Sequence, residues 1–463
     1  MRLPADLLHA FNAASSAPPG RDTLRYSVEP ITPSLYGGYD PSKPDTDAPL
    51  RLKALRGQLR EWWRILAQSG DLDGQISDLS ICSPGARQAV EDRVWGSLGR
   101  GQPVAGAVGL DLLTRQAPES KDCEAWIKTL ARGPMQEAMI YALYNAMGNY
   151  HRDLTLGGSY TLLVHVDDAD TYRAAVERTV AFWATFGGLG SRTRRGIGAV
   201  RVCRLDDNGQ SCPPLTVFPD SLHFTDGVAT FDCKALTALL RSTPAIMDDT
   251  SALAWGLGRL KFFRQGAGFG RNGPLGRSRY PEANRVRLAA GKEMYYKNPL
   301  DNKHNHNPEA PGAVNVDVAL RAAFGHFSIR FADGQVPKGK GSKDTVGLDP
   351  KPRHLLPHGS DRLASSMILR PVDLGASATP RHVCVFAQFK AMAGPHIPRM
   401  RIRPAGETHL LPAWKSGWEP GHPGGCSGIL PLEDAKCAKG VFPAPQDAAQ
   451  AFMNFVCSDE VTP

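Results

Sequence analysis

One run of eleven residues narrows the fold more than any other: Gly188-Leu189-Gly190-Ser191-Arg192-Thr193-Arg194-Arg195-Gly196-Ile197-Gly198. A helical pattern precedes it, with Tyr172, Val176, Val180, Trp183 and Phe186 on the core side of Ala169–Phe186, and Gly187-Gly188 stops that helix. A strand pattern, Ala199–Leu205, follows it. Upstream, Leu24, Tyr26 and Val28 alternate with polar neighbours up to Pro30, and Tyr160, Leu162, Val164 and Val166 alternate likewise. Strand, helix, further strand, helix, glycine loop and final strand describe a split βαβ, ferredoxin-like unit.

The loop itself points to anions. Glycine permits positive φ and close backbone approach, exposed amides can form an anion nest, and Arg192, Arg194 and Arg195 add guanidinium donors. It is not a dinucleotide fingerprint, because no strand precedes it and Thr193 stands where the third glycine belongs. Nor is Gly334 to Lys340 a phosphate-binding P-loop, since Gly341 follows where Ser or Thr is needed.

Charge points the same way. The chain of 463 residues carries a net +8. Residues 259–303 hold eleven Lys/Arg and three acids, so the remainder is neutral. Lys261, Arg264, Arg271, Arg277 and Arg279 alternate there with Phe262, Phe263, Phe269, Tyr280, Tyr295 and Tyr296, a pattern suited to single-stranded nucleic acid. A helix over 52–66 sets Leu55, Leu59, Trp62 and Leu66 on one stripe and Arg56, Arg60, Trp63 and Arg64 on the adjoining face. That second face reads as cationic and carries one indole, or else as a surface face whose second Trp packs under a neighbouring loop. A helix is also expected from about Cys123 to Asn149, within an otherwise irregular stretch, 72–155.

No run approaches the ~18 apolar residues of a membrane helix, and the N-terminus lacks a signal-peptide core, so a cytoplasmic protein is expected. Nine cysteines without a C-x-x-C pair suggest reduced core thiols. His304 with His306, or His422 with Cys426, falls short of a metal site, and neither a metal nor another cofactor is expected.

The loop, with a G-hydrophobe-G opening, five residues rich in arginine and a G-x-G close, resembles the signature of the RAMP proteins, RNA-binding subunits of CRISPR systems. Arg56-Gly57-Gln58-Leu59-Arg60-Glu61-Trp62-Trp63-Arg64 is similar to a helix motif of a RAMP subunit of the type III-B (Cmr) effector complex, with Glu61 where an aromatic is usual. Leu363–Pro371 and Gly276–Glu282 are similar to segments in its second half. The resemblance implies an α+β protein of two ferredoxin-like (RRM-like, RAMP) domains in tandem with loop-rich insertions. The first is expected over 1–208, with the glycine loop at 187–198. The second is expected over 215–463, with the basic segment and a loop-rich tail, and the break falls at Asp206–Gly209 and Pro213-Pro214. It also implies guide (CRISPR) RNA, target RNA and other RAMP subunits as partners, at the end of a ribonucleoprotein.

Catalytic signatures are sparse. No histidine lies between His9 and His151 to act as the acid or base of a precursor-processing RAMP enzyme. Neither Gly-Gly-Asp-Asp nor adjacent His-Asp occurs. Asp40, Asp45 and Asp47 fall in a proline-rich loop after the first strand, where a cleaving RAMP subunit would place a carboxylate. The expectation is a non-catalytic RNA-binding subunit, with a metal-independent endoribonuclease as the alternative. The RNA site is expected at Arg56, Arg60, Trp63, Arg64, Gly188, Gly190, Arg192, Arg194, Arg195, Gly196, Gly198 and the basic segment.

Overall fold

The computed structural model describes residues 21–37, 51–76, 84–98, 103–147, 152–265, 327–329, 353–357, 365–390, 399–403, 411–412 and 448–457. The first half runs β1 (Asp22–Pro30), α1 (Leu52–Ser69), α2 (Pro84–Trp95), β2 (Val108–Gln116), β3 (Glu119–Asp122), α3 (Cys123–Thr129) and α4 (Pro134–Leu143). It continues with β4 (Asp153–Leu156), β5 (Ser159–Val166), α5 (Ala169–Phe186), β6 (Val200–Leu205) and β7 (Ser211–Pro214). The second half runs β8 (Val228–Asp232), β9 (Leu236–Arg241), α6 (Asp249–Gln265), β10 (Phe327–Ile329), β11 (Arg353–Pro357) and β12 (Met367–Asp373). After these come β13 (His382–Phe389), β14 (Arg399–Arg403), β15 (Leu411–Pro412) and α7 (Ala448–Cys457).

The α+β expectation holds. The first sheet has the order β2-β5-β1-β6-β7, and each described pairing is antiparallel. With α1 and α5 it follows the β-α-β-β-α-β chain order of a ferredoxin-like unit. Its second strand, β2, lies inside the stretch that reads as irregular. The long helix expected near 123–149 is two helices instead, because Gly133 at φ +113 and Pro134 at the first helical turn break it. Asp206–Gly209 is the turn joining β6 to β7: the Asp206 carboxylate accepts from the Asn208 and Gln210 amides at 2.9 and 2.7 Å.

A second sheet, β12-β13-β9-β8, is also antiparallel throughout. Here β9, α6, β12, β13 and α7 repeat the order of the first five elements of the first unit. The place beside β9 that β6 holds beside β1 is taken by β8, which arrives by hairpin. A small sheet, β10-β11-β14-β15, is built from the segments around these.

Alternation along the strands shows how the layers stack. Leu236, Ala238 and Leu240 of β9 and Val383, Val385, Ala387 and Phe389 of β13 share one core with Leu24, Tyr26, Val28, Trp62, Phe182 and Phe186. The intervening Leu239, Cys384 and Phe386 share a second core with α3, α4, α6 and α7. Helices α1 and α5 thus lie between the two sheets, and Trp62 meets Phe389 at 5.6 Å between ring centroids. Each such buried aromatic contributes roughly 1.5–3 kcal/mol by leaving water. The two halves are joined through their cores.

Candidate nucleic-acid interface

The glycine loop is pinned from both sides. The Leu189 amide donates to the Gly198 carbonyl at 2.7 Å, the Ser191 amide to Leu35 at 2.9 Å, and the Gly198 amide to Pro33 at 2.7 Å. The amides of Arg195 and Gly196 close a short 3-10 turn onto Arg192 and Thr193. Five loop amides are therefore committed to protein carbonyls, so the anion nest expected from the sequence is not built from them. The glycines serve close packing instead. A Cβ on Gly190 (φ +78) would lie 2.5 Å from the Leu35 carbonyl oxygen, and one on Gly196 (φ +75) 2.5 Å from a Leu253 methyl. Gly188 and Gly198 close the two ends, a Cβ on Gly188 lying 2.6 Å from the Gly198 carbonyl oxygen.

The loop is also held by a residue from the second half. Arg370, on β12, is 1% exposed. Its guanidinium donates to the carbonyls of Gly187 and of Val200, the latter at 2.9 Å, on either flank of the loop. Burial lowers its pKa to about 9, with Asp249 opposing the shift, so it remains a cation at neutral pH. Sequence reading marked the stretch around Arg370 but carried no signal that it reaches the loop from β12.

Two of the three loop arginines bond main-chain carbonyls, and the third lies over an aromatic ring. Arg192, itself at φ +64, donates to the Ala142 carbonyl at the end of α4, where a cation suits the helix dipole. Arg194 donates to the Ser365 carbonyl and lies 5.4 Å from the Phe389 ring centroid. Carbonyls leave a guanidinium with further donors and with its charge uncompensated. Burial, and Arg152 beside it, lower the pKa of Arg192; burial lowers that of Arg194, opposed by Glu61 through space. Arg195 lies 5.8 Å from the Tyr141 ring centroid, and Arg264 from α6 lies 5.9 Å from the same ring and donates to the Tyr141 hydroxyl at 2.6 Å. Tyr141 thus brings the loop and the start of the basic segment together, a role with no signal in the sequence.

The helix face expected to be cationic is a correction. Trp63 is 1% exposed and belongs to the core, out of reach of any base. Arg60 meets Glu91 at 2.5 Å and Asp92 at 2.8 Å, and Arg64 meets Glu91 at 2.7 Å and Glu61 at 2.8 Å. Arg56 bonds the carbonyls of Trp95 and Val108 at 3.1 and 2.8 Å. These arginines clamp α2 and β2 onto α1; the acids beside Arg60 and Arg64 leave those two little charge to offer a phosphate, and Arg56 is spent on the two carbonyls that tie α1 to α2 and β2. Burial alone would raise the Glu91 carboxyl; hydrogen bonds from Arg64 and Arg60 reverse this and hold it below its ordinary value.

The described part of the basic segment is corrected too. Phe263 is fully buried, and Phe262 stacks on Phe455 at 5.9 Å. Arg259 is 3% exposed against Trp255 and Phe455, and Lys261 pairs with Glu137 at 2.6 Å. Arg271, Arg277 and Arg279 lie outside the described residues, as do Asp40, Asp45, Asp47, His304, His306, His422 and Cys426.

Two clusters offer other chemistry. Asp249, Asp373 and His382 bring ligand atoms within 4.8 Å of one another. Arg201 holds Asp249 at 3.1 Å and Asp373 at 2.6 Å, and Arg381 holds Asp373 at 3.0 Å. The two carboxylates are balanced by two guanidiniums, and the group ties β6 to β12, β13 and α6 as an ion-pair network. On β1, β5 and β2, the Thr23 hydroxyl meets His165 Nδ1 at 2.9 Å, and His165 Nε2 meets Asp111 at 3.0 Å. Thr23 and Pro30 are at opposite ends of β1, a span of about 23 Å at the usual strand rise, and the loop packs beyond Pro30. His165 is therefore remote from the loop arginines.

Residues 27–201 match the model of the RAMP superfamily. Over this part the chain is similar to the RAMP superfamily. The match spans β1 to β6 and ends just past the glycine loop. Among solved structures, the chain is similar to Cmr1 from Pyrococcus furiosus in its apo form, at 10% identity over 80% of this chain and 88% of that one, TM-score 0.37. It is similar to a chain of the type III-B Cmr-beta complex bound to cognate target RNA, at 11% identity over 80% and 94%, TM-score 0.36. A chain of a type IV-B CRISPR complex matches at 14% identity over 43% and 95%, TM-score 0.27. No curated protein matches the sequence.

Proposed function

We propose that this chain is a non-catalytic RNA-binding subunit of a type III-B CRISPR ribonucleoprotein in the cytoplasm. It contacts the 3′ region of the guide RNA, the target RNA or both, beside other RAMP subunits. The observation that carries the reading is the arginine-rich glycine loop, where Arg192 and Arg194 donate to main-chain carbonyls and no acid pairs with either among the described residues. Such groups suit phosphates without reading sequence. The helix and second-half segments that resemble a Cmr subunit favour the type III-B assignment. No helix among the described residues is long and apolar enough to cross a membrane. An acid–base group must come within hydrogen-bond reach of its proton, and the His165 cluster is too far from the loop to serve RNA held there.

The test is fluorescence anisotropy with a labelled single-stranded RNA of about 40 nucleotides, from about 50 to 500 mM salt, followed by a denaturing gel. Salt-sensitive binding of intact RNA is expected. Arg192→Ala, Arg194→Ala and Arg195→Ala together should reduce the salt slope by about two, at roughly 0.7 per phosphate contact on a single strand. An unchanged slope would remove the loop from the site. A discrete cleavage product in EDTA would overturn the non-catalytic reading.

A further inference from the structure

Resting on the RNA-binding reading, we propose that Tyr144 is a stacking platform for one unpaired base of the strand whose phosphates meet Arg192 and Arg195. Four large apolar or aromatic side chains stand exposed among the described residues: Leu98, Val104, Met247 and Tyr144. Tyr144 is the one aromatic of the four, at 71% exposure. It begins the 3-10 turn after α4, three residues beyond Tyr141, so the two rings are neighbours on one helical face.

The surroundings of this ring are cationic. Arg195 and Arg264 lie over Tyr141, one turn back. Arg192 bonds the carbonyl of Ala142, two residues before Tyr144. The Arg152 amide bonds the carbonyl of Ala146, two residues after it, at 3.2 Å, and the Arg152 charge is felt at Arg192. The nearby acid of α4, Glu137, is paired with Lys261. An open ring within one turn of these arginine contacts matches a ligand that carries both negative charge and an unpaired planar group. A single strand supplies both at once, and base–aromatic stacking tolerates any sequence.

The test compares Tyr144→Ala and Tyr144→Phe with wild type, using the same labelled RNA and a series carrying one abasic site at successive positions. Tyr144→Ala is expected to bind about tenfold more weakly with an unchanged salt slope, because no phosphate contact is lost. Tyr144→Phe should keep wild-type affinity, and one abasic position should weaken wild type but not Tyr144→Ala. If neither variant changes affinity, while the loop-arginine variant does, the ring serves another surface, such as a sister subunit, and the stacking assignment falls alone. A changed slope in Tyr144→Ala would also overturn it, since the ring would then act by placing the arginines. Failure of wild type to bind RNA would overturn the RNA-binding reading and this one with it.

Discussion

Helix α1 and the glycine loop each carry three arginines within nine residues, and Arg60 and Arg64 of the one meet a different fate from Arg192 and Arg194 of the other. On α1, Arg60 and Arg64 share the buried Glu91, with Asp92 and Glu61 completing the neutralisation. In the loop, Arg192 and Arg194 donate to main-chain carbonyls, so their charge persists. Among the described residues, the two sets are told apart by their counter-charges, which a count of basic residues does not reveal. Two of the acids that meet α1, Glu91 and Asp92, sit on α2, about thirty residues further along the chain.

The largest effect should come from breaking the neutralised set. Arg60→Ala with Arg64→Ala leaves Glu91, 2% exposed, without its partners. Stability should fall by about 3–5 kcal/mol, the range for orphaning a buried charge, while the RNA salt slope of the folded protein stays as in wild type. Denaturant titration and anisotropy measure the two separately, and a shallower slope would place α1 in the RNA site after all. Next comes Gly196→Ala, which adds a methyl 2.5 Å from Leu253 at a positive φ. It should cost roughly 1–3 kcal/mol and weaken RNA binding as well, because the loop is displaced from the second sheet. The smallest effect is on pH. The Glu91 carboxyl is held below its ordinary value by the hydrogen bonds from Arg64 and Arg60. Its stabilising contribution is thus complete above the unfolded value and lost as pH falls through the lower folded one. A Glu91→Gln variant should flatten that acid limb of a melting-temperature profile, whereas the loop-arginine variant should leave it unchanged.

Much of the first unit was legible because its signals are local. Leu24, Tyr26 and Val28 alternate, Gly187 ends a helix, and the loop announces itself by glycine and arginine in one short window. The rest depended on partners distant in sequence. Trp62, on the apolar stripe, is buried as its position suggests and meets Phe389 of the second sheet, whereas Trp63, on the face with the arginines, is buried too, in the core the two halves share. β2 went unread: beyond Leu112 its residues face solvent or lie half-buried, as on an edge strand, so alternation is weak there. The placement of β8 in the second sheet follows from a hairpin that replaces a crossover, and no local pattern distinguishes the two. Tyr141 carries no motif at all; its importance comes from two guanidiniums that arrive from elsewhere.

The layer order has a consequence for synthesis on the ribosome. Helices α1 and α5 are complete by residue 186, but the sheet that covers their outer face includes β12 and β13, which end at residue 389. At elongation rates of about 5–20 residues per second, the apolar side of a nascent first unit stays uncovered for roughly ten to forty seconds. The same Trp62 and Phe186 that join the halves in the finished protein are then a sticky surface in the unfinished one. A cell that makes this chain quickly, or stalls within its second half, exposes that surface to chaperones and to other copies of itself.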